Sequence, residues 1–287
     1  MKSTPPPDSG SKVRAYYEAL LREWGPQEWW PARTRFEVIV GAYLTQNTSW
    51  TNVERALRNL RQARLLTASG IRNVALERLE ELVRPSGYFR QKAARLKMFV
   101  AYLEETYGGS TTRMFAQPTE RLRGELLALN GVGPETADSI LLYAGNHAVF
   151  VIDAYTRRIL DRHKILAADR PYEEARRLME HALEESTQAG STQTMTGDAR
   201  GERQGVRPSP HGASAMSRAK RPELIQRYNE MHALIVAVGK DHCFKSKPNC
   251  DGCPLKTFLP EPGLPNEFVT GIGAVNWIAF ETRLFPR

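Results

Sequence analysis

A tight turn followed by a lone carboxylate is the chemically most informative feature of this 287-residue sequence. Gly131 and Gly133 stand one residue apart, so the backbone there can turn sharply and approach another molecule closely. Pro134 fits the first position of a helix, where its missing N–H costs nothing, and the free N–H groups of a first turn suit a phosphate. Asp153 directly follows the apolar run Phe150-Val151-Ile152, where an unpaired charge is costly. Together these features indicate a DNA-processing site.

The same residues resemble the helix–hairpin–helix signature of the endonuclease III superfamily of DNA glycosylases, in which an aspartate follows the hairpin. Both glycines, Thr136 and Asp153 match that signature, whereas Asn130 replaces the usual proline. The resemblance implies that Gly131, Gly133 and Thr136 contact DNA. It also implies that Asp153 is catalytic, either stabilising positive charge on the departing sugar or positioning a water. Asp153 equally fits the N-cap of the helix that follows it, and the two roles are compatible.

One hairpin position departs from the pattern of bifunctional family members, which carry a nucleophilic lysine two residues after the second glycine. Glu135 occupies this position, and a carboxylate cannot form the Schiff base that an amine forms with an opened sugar. The sequence therefore predicts a monofunctional glycosylase. The nearest alternative is an endonuclease III-type enzyme with lyase activity on oxidised pyrimidines. A non-catalytic helix–hairpin–helix DNA-binding module is the alternative from another class, although such a module needs no Asp153.

Paired tryptophans indicate which kind of base is recognised. Trp29 and Trp30 precede a proline in an early interhelical loop, and this segment resembles the 3-methyladenine glycosylase branch of the family. Alkylated purines carry positive charge, and an aromatic face attracts a cation. Phe36 or Trp50 could complete the base pocket, and Tyr155 could line it, although large aromatic residues are as often core residues. The expected partner is therefore duplex DNA that contains a damaged base. The enzyme is expected to be a monomer.

Polar residues elsewhere resemble further DNA contacts of the family. Gln46 lies in an L-x-x-Q-x-T segment, where the resemblance implies insertion into the gap left by a flipped nucleotide. Arg90 and Lys92 lie in a G-x-x-x-x-K-A segment and are expected to contact backbone phosphates. From the residues alone, the first segment also fits a polar turn, and the second fits solvated charge on a helix.

Three cysteines lie close together near the end of the chain: Cys243, Cys250 and Cys253. Their spacing matches three of the four cysteines in the family's [4Fe–4S] loop, and Leu259 stands at the fourth position. Four thiolates are the ordinary set for such a cluster. The resemblance therefore implies a cluster only if another ligand, for which His242 and Asp251 are candidates, binds the fourth iron. The other interpretation is that the cluster is lost.

The composition favours a polyanionic partner and no membrane. Forty lysines and arginines against thirty-two acidic residues give a net charge of +8. No apolar run of about eighteen residues is present, and the N-terminus has no apolar segment typical of a secretory signal. We therefore expect a cytoplasmic, nucleoid-associated protein.

Helical periodicity dominates the chain and strand-like alternation is scarce, which predicts an all-α fold. One of the predicted helices spans Ile71–Val83. In the resembling family, two helical lobes flank a cleft, and a central helical bundle carries the hairpin. Mapped onto this chain, the expected parts are a disordered tail (1–11), a discontinuous terminal lobe with the cysteine loop (12–35 and 148–255), the central bundle (36–147), a disordered insertion poor in large apolar residues (186–222), and an unassigned tail (256–287).

Overall fold

All regular elements of the computed structural model are helices within the residues it describes, which are 9–27, 29–189 and 214–260. The prediction of an all-α fold is therefore confirmed. No helix in these ranges is both long and apolar enough to cross a membrane. The α-helices are α1 (Ser9–Trp24), α2 (Arg35–Thr45), α3 (Trp50–Gln62), α4 (Ala68–Asn73), α5 (Leu76–Val83), α6 (Phe89–Tyr107), α7 (Thr111–Phe115), α8 (Thr119–Leu127), α9 (Pro134–Ser139), α10 (Ala154–Arg162), α11 (Tyr172–Ala189) and α12 (Glu223–Asp241).

Helix α2 forms the centre of the bundle because it is apolar on all sides. Each residue from Phe36 to Leu44 is buried, including the carboxylate of Glu37. A helix that is hydrophobic all round requires neighbours on every face. These neighbours are α3, α6 and the π-helical turn Ile140–Gly145, which continues α9. The hairpin that precedes α9 is thereby attached to the core of the bundle.

Helices from the two ends of the chain pack together. Helix α1 lies against α11 and α12, and α10 also packs against α12. The phenol of Tyr16 in α1 is hydrogen-bonded to Nδ1 of His163, just beyond α10, at 2.8 Å. Burial lowers the pKa of His163 to about 4, so this imidazole is neutral at pH 7. The pair is a fully structural tyrosine–histidine contact.

The prediction of one continuous helix over Ile71–Val83 is wrong. The segment forms two helices, since α4 ends at Asn73 and α5 starts at Leu76. Lys97 of α6 donates a hydrogen bond to the carbonyl of Arg72 at 2.8 Å, and it also bonds the carbonyl of Val74. These bonds satisfy carbonyl groups that a continuous helix would have paired internally. The break therefore depends on a long-range contact, which periodicity cannot reveal.

The ends of two segments predicted as disordered are ordered. Helix α1 begins at Ser9, and α11 continues to Ala189. Residues 214–222 also belong to the described structure, and the Ser214 hydroxyl donates to the carbonyl of Trp30 at 2.9 Å. The backbone N–H of Met216 donates to the carbonyl of Ala32 at 3.2 Å. Composition missed residues 214–222 because long-range backbone bonds hold them and because their one large apolar residue, Met216, packs against the core. The remainder of these segments, 1–8 and 190–213, and the tail 261–287 lie outside the described residues.

A buried ionic cluster joins the two hairpin helices to α11. Arg123 of α8 donates to both carboxylate oxygens of Asp138 in α9, at 2.7 and 3.1 Å, and to Glu173 of α11 at 2.6 Å. The Asp138 side chain is completely buried. Burial raises the pKa of Asp138, while the bonds from Arg123 act in the opposite direction. Such a fork-shaped contact fixes the angle between α8 and α9.

We expect Asp138→Asn to lower the free energy of unfolding by about 3 kcal/mol, because the substitution leaves the Arg123 charge buried beside a neutral amide. The shift in urea midpoint, followed by circular dichroism, measures this change. The matched control is Glu81→Gln, which breaks the exposed Arg78–Glu81 pair and should cost less than about 1 kcal/mol. Equal effects of the two substitutions would show that the buried cluster does not stabilise the hairpin.

Candidate active site

The hairpin between α8 and α9 has the backbone that its two glycines predict. Gly131 has a φ of 78°, and a Cβ built on it would lie 2.0 Å from Nε of Arg95, so no other residue fits without rearrangement. Gly133 has extended backbone, and a Cβ built there would meet nothing within 4 Å. Pro134 starts α9 at its first position. The hairpin therefore offers an open backbone surface at Gly133 and the first turn of α9.

Gln46 connects the end of α2 to this hairpin. Its Nε2 donates to the carbonyl of Gly131 at 2.9 Å and to Oγ1 of Thr136 at 3.0 Å, while Arg95 donates to its Oε1 at 2.7 Å. In this structure the amide is thus occupied by the hairpin on one side and by α6 on the other. Arg95, which the sequence analysis did not single out, lies one helical turn beyond Lys92 on the same helix. That spacing was the available signal.

Lys92 does not lie where a phosphate could reach it, and its expected DNA contact is wrong. The residue is only 1% exposed, and its Nζ donates to the carbonyls of Leu44 at 2.9 Å and Ser86 at 2.6 Å. Burial lowers its pKa to about 8, and the nearby charge of Arg95 adds to this decrease. Lys92 therefore holds the C-terminus of α2. Arg90, by contrast, has a side chain that is 82% exposed at the start of α6.

Asp153 is the N-cap of α10. Its Oδ1 accepts hydrogen bonds from the backbone N–H of Thr156 at 2.7 Å and from the Thr156 hydroxyl at 2.9 Å. This arrangement explains how a carboxylate is tolerated directly after the buried residues Val151 and Ile152. The second oxygen, Oδ2, lies 3.7 Å from Nε2 of His232, and the Asp153 side chain is 12% exposed. The cap role therefore occupies only one of the two carboxylate oxygens.

His232 reaches Asp153 from α12 and was missed by the sequence analysis. Its Nδ1 is hydrogen-bonded to the phenol of Tyr143, which lies in the π-helical turn. Burial lowers the pKa of His232, and the charge of Asp153 partly opposes that shift. The signal in the sequence was a lone histidine within the apolar part of α12, which is more often a core residue than a functional one. Only the packing of α12 against α10 brings it to Asp153.

The tryptophans form one cluster that continues to Tyr143. The ring centroids of Trp30 and Trp50 are 5.2 Å apart, those of Trp29 and Trp50 are 6.5 Å apart, and those of Trp30 and Tyr143 are 4.8 Å apart. Nζ of Lys240 lies 5.8 Å from the Trp29 ring. Trp30 is 7% exposed, whereas Trp29 and Trp50 are partly exposed. The cluster thus runs from partly exposed rings to the tyrosine that touches His232.

Two other candidates for the base pocket belong to the packing between helices. Phe36 is a buried residue at the start of α2. Tyr155 packs against Gly239 of α12, where an added Cβ would lie 2.1 Å from Cδ1 of the tyrosine. The guanidinium of Arg158 lies 5.0 Å from the centroid of the same ring. These contacts give Tyr155 a structural task at the α10–α12 interface.

Glu135 is exposed in the first turn of α9. Burial raises the pKa of Tyr143 well above its ordinary value, and the negative charges of Asp153 and Glu135 both add to this increase. Both carboxylates are therefore close enough to act on one phenol. The first turn of α9 thus carries an acidic side chain at the position where an amine would be needed for a Schiff base.

The three cysteines line one cavity beside α12. This cavity has a volume of about 20 Å³, and its wall also contains His242 and Leu259. Arg162 donates a hydrogen bond to Sγ of Cys243 at 3.1 Å. Asp251 points elsewhere, since its side chain is 94% exposed and pairs with Lys256 at 2.9 Å. Within the described ranges, no three His, Cys, Asp or Glu side chains are placed to bind a single metal ion. The cavity instead has all three thiols along its wall.

Comparison with known proteins agrees with this geometry. Residues 40–185 match the model of the HhH-GPD superfamily base excision DNA repair protein family. A Methanocaldococcus jannaschii protein that bears the provisional name of a DNA repair glycosylase is 41% identical over 243 residues, covering 84% of this chain and 93% of that protein. The match therefore extends over most of both chains.

Solved structures show the same fold. A 3-methyladenine DNA glycosylase of Helicobacter pylori bound to 1,N6-ethenoadenine aligns with a TM-score of 0.63 and 27% identity, covering 81% of this chain and 97% of that one. Endonuclease III in a non-covalent DNA complex aligns with a TM-score of 0.62 over 87% of this chain and 94% of that one, at 19% identity. With its hairpin, its embedded aspartate and this fold, the chain belongs to the HhH-GPD superfamily of base excision DNA repair proteins, as a DNA glycosylase.

Proposed function

We propose that this glycosylase is monofunctional, that it acts on alkylated purines in duplex DNA, and that Asp153 is its catalytic carboxylate. The observation that carries the proposal is the position of Asp153. Its free oxygen is connected through His232 and Tyr143 to the tryptophan cluster. A charged group for the sugar and aromatic faces for a base thus lie next to each other. The base must leave the helical stack to enter such a site.

Charge complementarity favours an alkylated purine as the substrate. A purine alkylated on a ring nitrogen is cationic, so aromatic rings attract it more than they attract a neutral base. When the glycosidic bond breaks, this base takes the bonding electrons and leaves neutral, without needing a proton from the enzyme. The positive charge that develops on the sugar is then stabilised by the Asp153 carboxylate, which is little screened by water. A water then adds to the sugar and releases one proton to the solvent, which leaves the neutral abasic sugar.

The hairpin supplies the grip on DNA in this proposal. The open backbone around Gly133 and the first turn of α9 bind a backbone phosphate, and the exposed Arg90 adds a second phosphate contact. Before DNA binds, Gln46 holds the hairpin in shape through its bonds to Gly131 and Thr136. Insertion of Gln46 into the duplex requires release of these bonds, so we propose that DNA binding redirects this side chain.

The cysteine cavity fits an iron–sulfur cluster in part, and we propose that it holds one. Cys243, Cys250 and Cys253 would each bind one iron, and His242 is the nearest candidate for the remaining position, because Leu259 is apolar and Asp251 faces solvent. A cluster there would tie the loop after α12 to α10 through Arg162. We assign it no step in the reaction.

Duplexes carrying a single 3-methyladenine should lose that base at pH 7, with strand breaks only after alkali and no borohydride-trapped adduct. Asp153→Asn should lower the single-turnover rate by about 10²–10³-fold while binding the lesion duplex as tightly, because the amide keeps the helix cap but loses the charge. Asp161→Asn, on the same helix and exposed, is the matched control and should keep the full rate.

Excision of thymine glycol with a trapped adduct would contradict the proposal. If that adduct disappears in Lys240→Met, the lysine beside Trp29 is the amine.

Glu135→Lys should create the trapped adduct that the natural chain lacks. The new amine would attack the sugar aldehyde at the abasic product and lose water to form an imine, which borohydride reduces to a stable amine. Gel mobility of the protein–DNA adduct measures it. Glu120→Lys places a lysine in the first turn of α8 instead and should give no adduct. Equal trapping by both variants would show that position 135 does not face the abasic sugar.

Protein purified without oxygen should contain iron and acid-labile sulfide in equal amounts, with a visible absorption band that Cys250→Ser removes. Leu259→Cys restores a fourth thiol at the cavity wall and should slow the loss of the band in air. The substitution Phe244→Ser, in the same loop but on its exposed side, controls for loop disturbance. Absence of iron and sulfide from both the natural chain and Leu259→Cys would refute the cluster.

A further inference from the structure

The two oxygens of Asp153 have unequal environments. Oδ1 already accepts two hydrogen bonds from Thr156, at 2.7 and 2.9 Å. Oδ2 faces Nε2 of His232 at 3.7 Å, which is longer than a hydrogen bond. That imidazole nitrogen is buried and has no hydrogen-bond partner in the described ranges. A buried nitrogen without a partner costs about 1–3 kcal/mol. The orientation of Nε2 of His232 toward a carboxylate therefore needs an explanation.

The contact with Tyr143 determines which imidazole nitrogen carries the proton. Burial lowers the pKa of His232 below its ordinary value, so the ring is neutral at pH 7 and bears a single proton. If that proton were on Nδ1, the Nε2 lone pair would face the Asp153 carboxylate, which is repulsive. If the phenol of Tyr143 donates to Nδ1, the proton lies on Nε2 and points at Oδ2. The second arrangement satisfies both contacts, so it is the stable one.

A purely structural histidine in the same fold looks different. The Nδ1 atom of His163 is also bonded to a tyrosine phenol, that of Tyr16, at 2.8 Å. A hydrogen bond with the backbone of Phe258 raises the pKa of His163 against the larger effect of burial. His163 therefore has a backbone partner besides the tyrosine, and neither of its ring nitrogens is a buried atom without a partner. His232 shares the tyrosine but turns its other nitrogen to the reactive carboxylate.

We propose that His232 is a positioning residue for the glycosidic cleavage. Its Nε2–H orients Oδ2 of Asp153 toward the sugar, and Tyr143 selects the tautomer that makes this possible. The proposal rests on the proposed function, in which Asp153 is the catalytic carboxylate. Oδ2 keeps a second lone pair for the developing positive charge, because one N–H occupies only one acceptor direction. The gap of 3.7 Å closes to a hydrogen bond when the lesion is bound.

Two substitutions at His232 separate positioning from packing. In His232→Asn, the amide oxygen replaces Nδ1 and keeps the Tyr143 bond, but no donor reaches Asp153. In His232→Gln, the longer amide brings an N–H to the place of Nε2. Single-turnover excision from a 3-methyladenine duplex should fall about 10- to 100-fold in the asparagine variant, the loss expected for a hydrogen bond to a charged group. The glutamine variant should recover most of that loss, and the dissociation constant for the lesion duplex should change little in either.

The matched control is His163→Asn, which alters the other tyrosine–histidine pair and should leave the excision rate unchanged after correction for the folded fraction. Nitrogen-15 NMR of labelled histidine, with His232 assigned by its absence in His232→Asn, should show the natural chain in the neutral Nε2–H form at pH 7. A protonated Nδ1 in that spectrum would overturn the proposal. So would a full rate in His232→Asn, or equal losses in the asparagine and glutamine variants.

Asp153→Asn, measured in the same assay, separates this proposal from the one on which it rests. If that variant is inactive while His232→Asn keeps the full rate, Asp153 stands as the catalytic group and the positioning role fails. If Asp153→Asn itself keeps the full rate, the proposed catalytic role of Asp153 fails first, and the positioning role fails with it.

Discussion

The N-cap at Asp153 is the constraint on which the arrangement of the site depends. A carboxylate directly after two buried residues would be expensive without partners, and the N–H and hydroxyl of Thr156 supply them. The cap also determines where α10 begins, and therefore how α10 meets α12. Because the cap uses one oxygen, it holds the carboxylate rigidly and leaves the other oxygen directed at His232. A single interaction thus stabilises a helix and presents a charged group in a defined direction.

The hairpin is likewise held in place by a few contacts. Its turn requires a residue with φ near 78° at position 131, and Arg95 fills the space where any side chain would project. Gln46 then bonds the turn and Thr136 together, so the hairpin is attached to α2 and α6. On the other side, Arg123 and Asp138 clamp α8 to α9. The hairpin backbone is therefore held from both sides in this structure, and the Arg123–Asp138 contact does not depend on Gln46.

For some polar residues, the local sequence pattern did not reveal the role that they have in the structure. Lys92 belongs to a short polar segment at the start of a helix, where an exposed cation is the ordinary expectation. The structure instead buries its ammonium between the carbonyls of Leu44 and Ser86. Similarly, the polar composition of residues 214–222 gave no indication that Ser214 and Met216 bond the backbone around Trp30 and Ala32. In both cases the partners include backbone carbonyls far away in the chain, those of Leu44, Trp30 and Ala32. Every residue has a backbone carbonyl, so the residue types do not reveal such a partner.

By itself, the sequence determined the all-α class, the hairpin with its two glycines, the cap that Asp153 forms, and the absence of a lysine at Glu135. Each of these follows either from the conformation and charge of a single residue or from the helical period of a short segment. Such properties can be read from residues that are neighbours in the sequence. Only the tertiary structure decided that His232 faces Asp153, that Tyr143 joins it to the tryptophans, and that three thiols share a cavity with Leu259. Those relations depend on how α10, α12 and the π-helical turn pack, and packing angles arise from side chains distant in sequence, whose contacts no local pattern encodes.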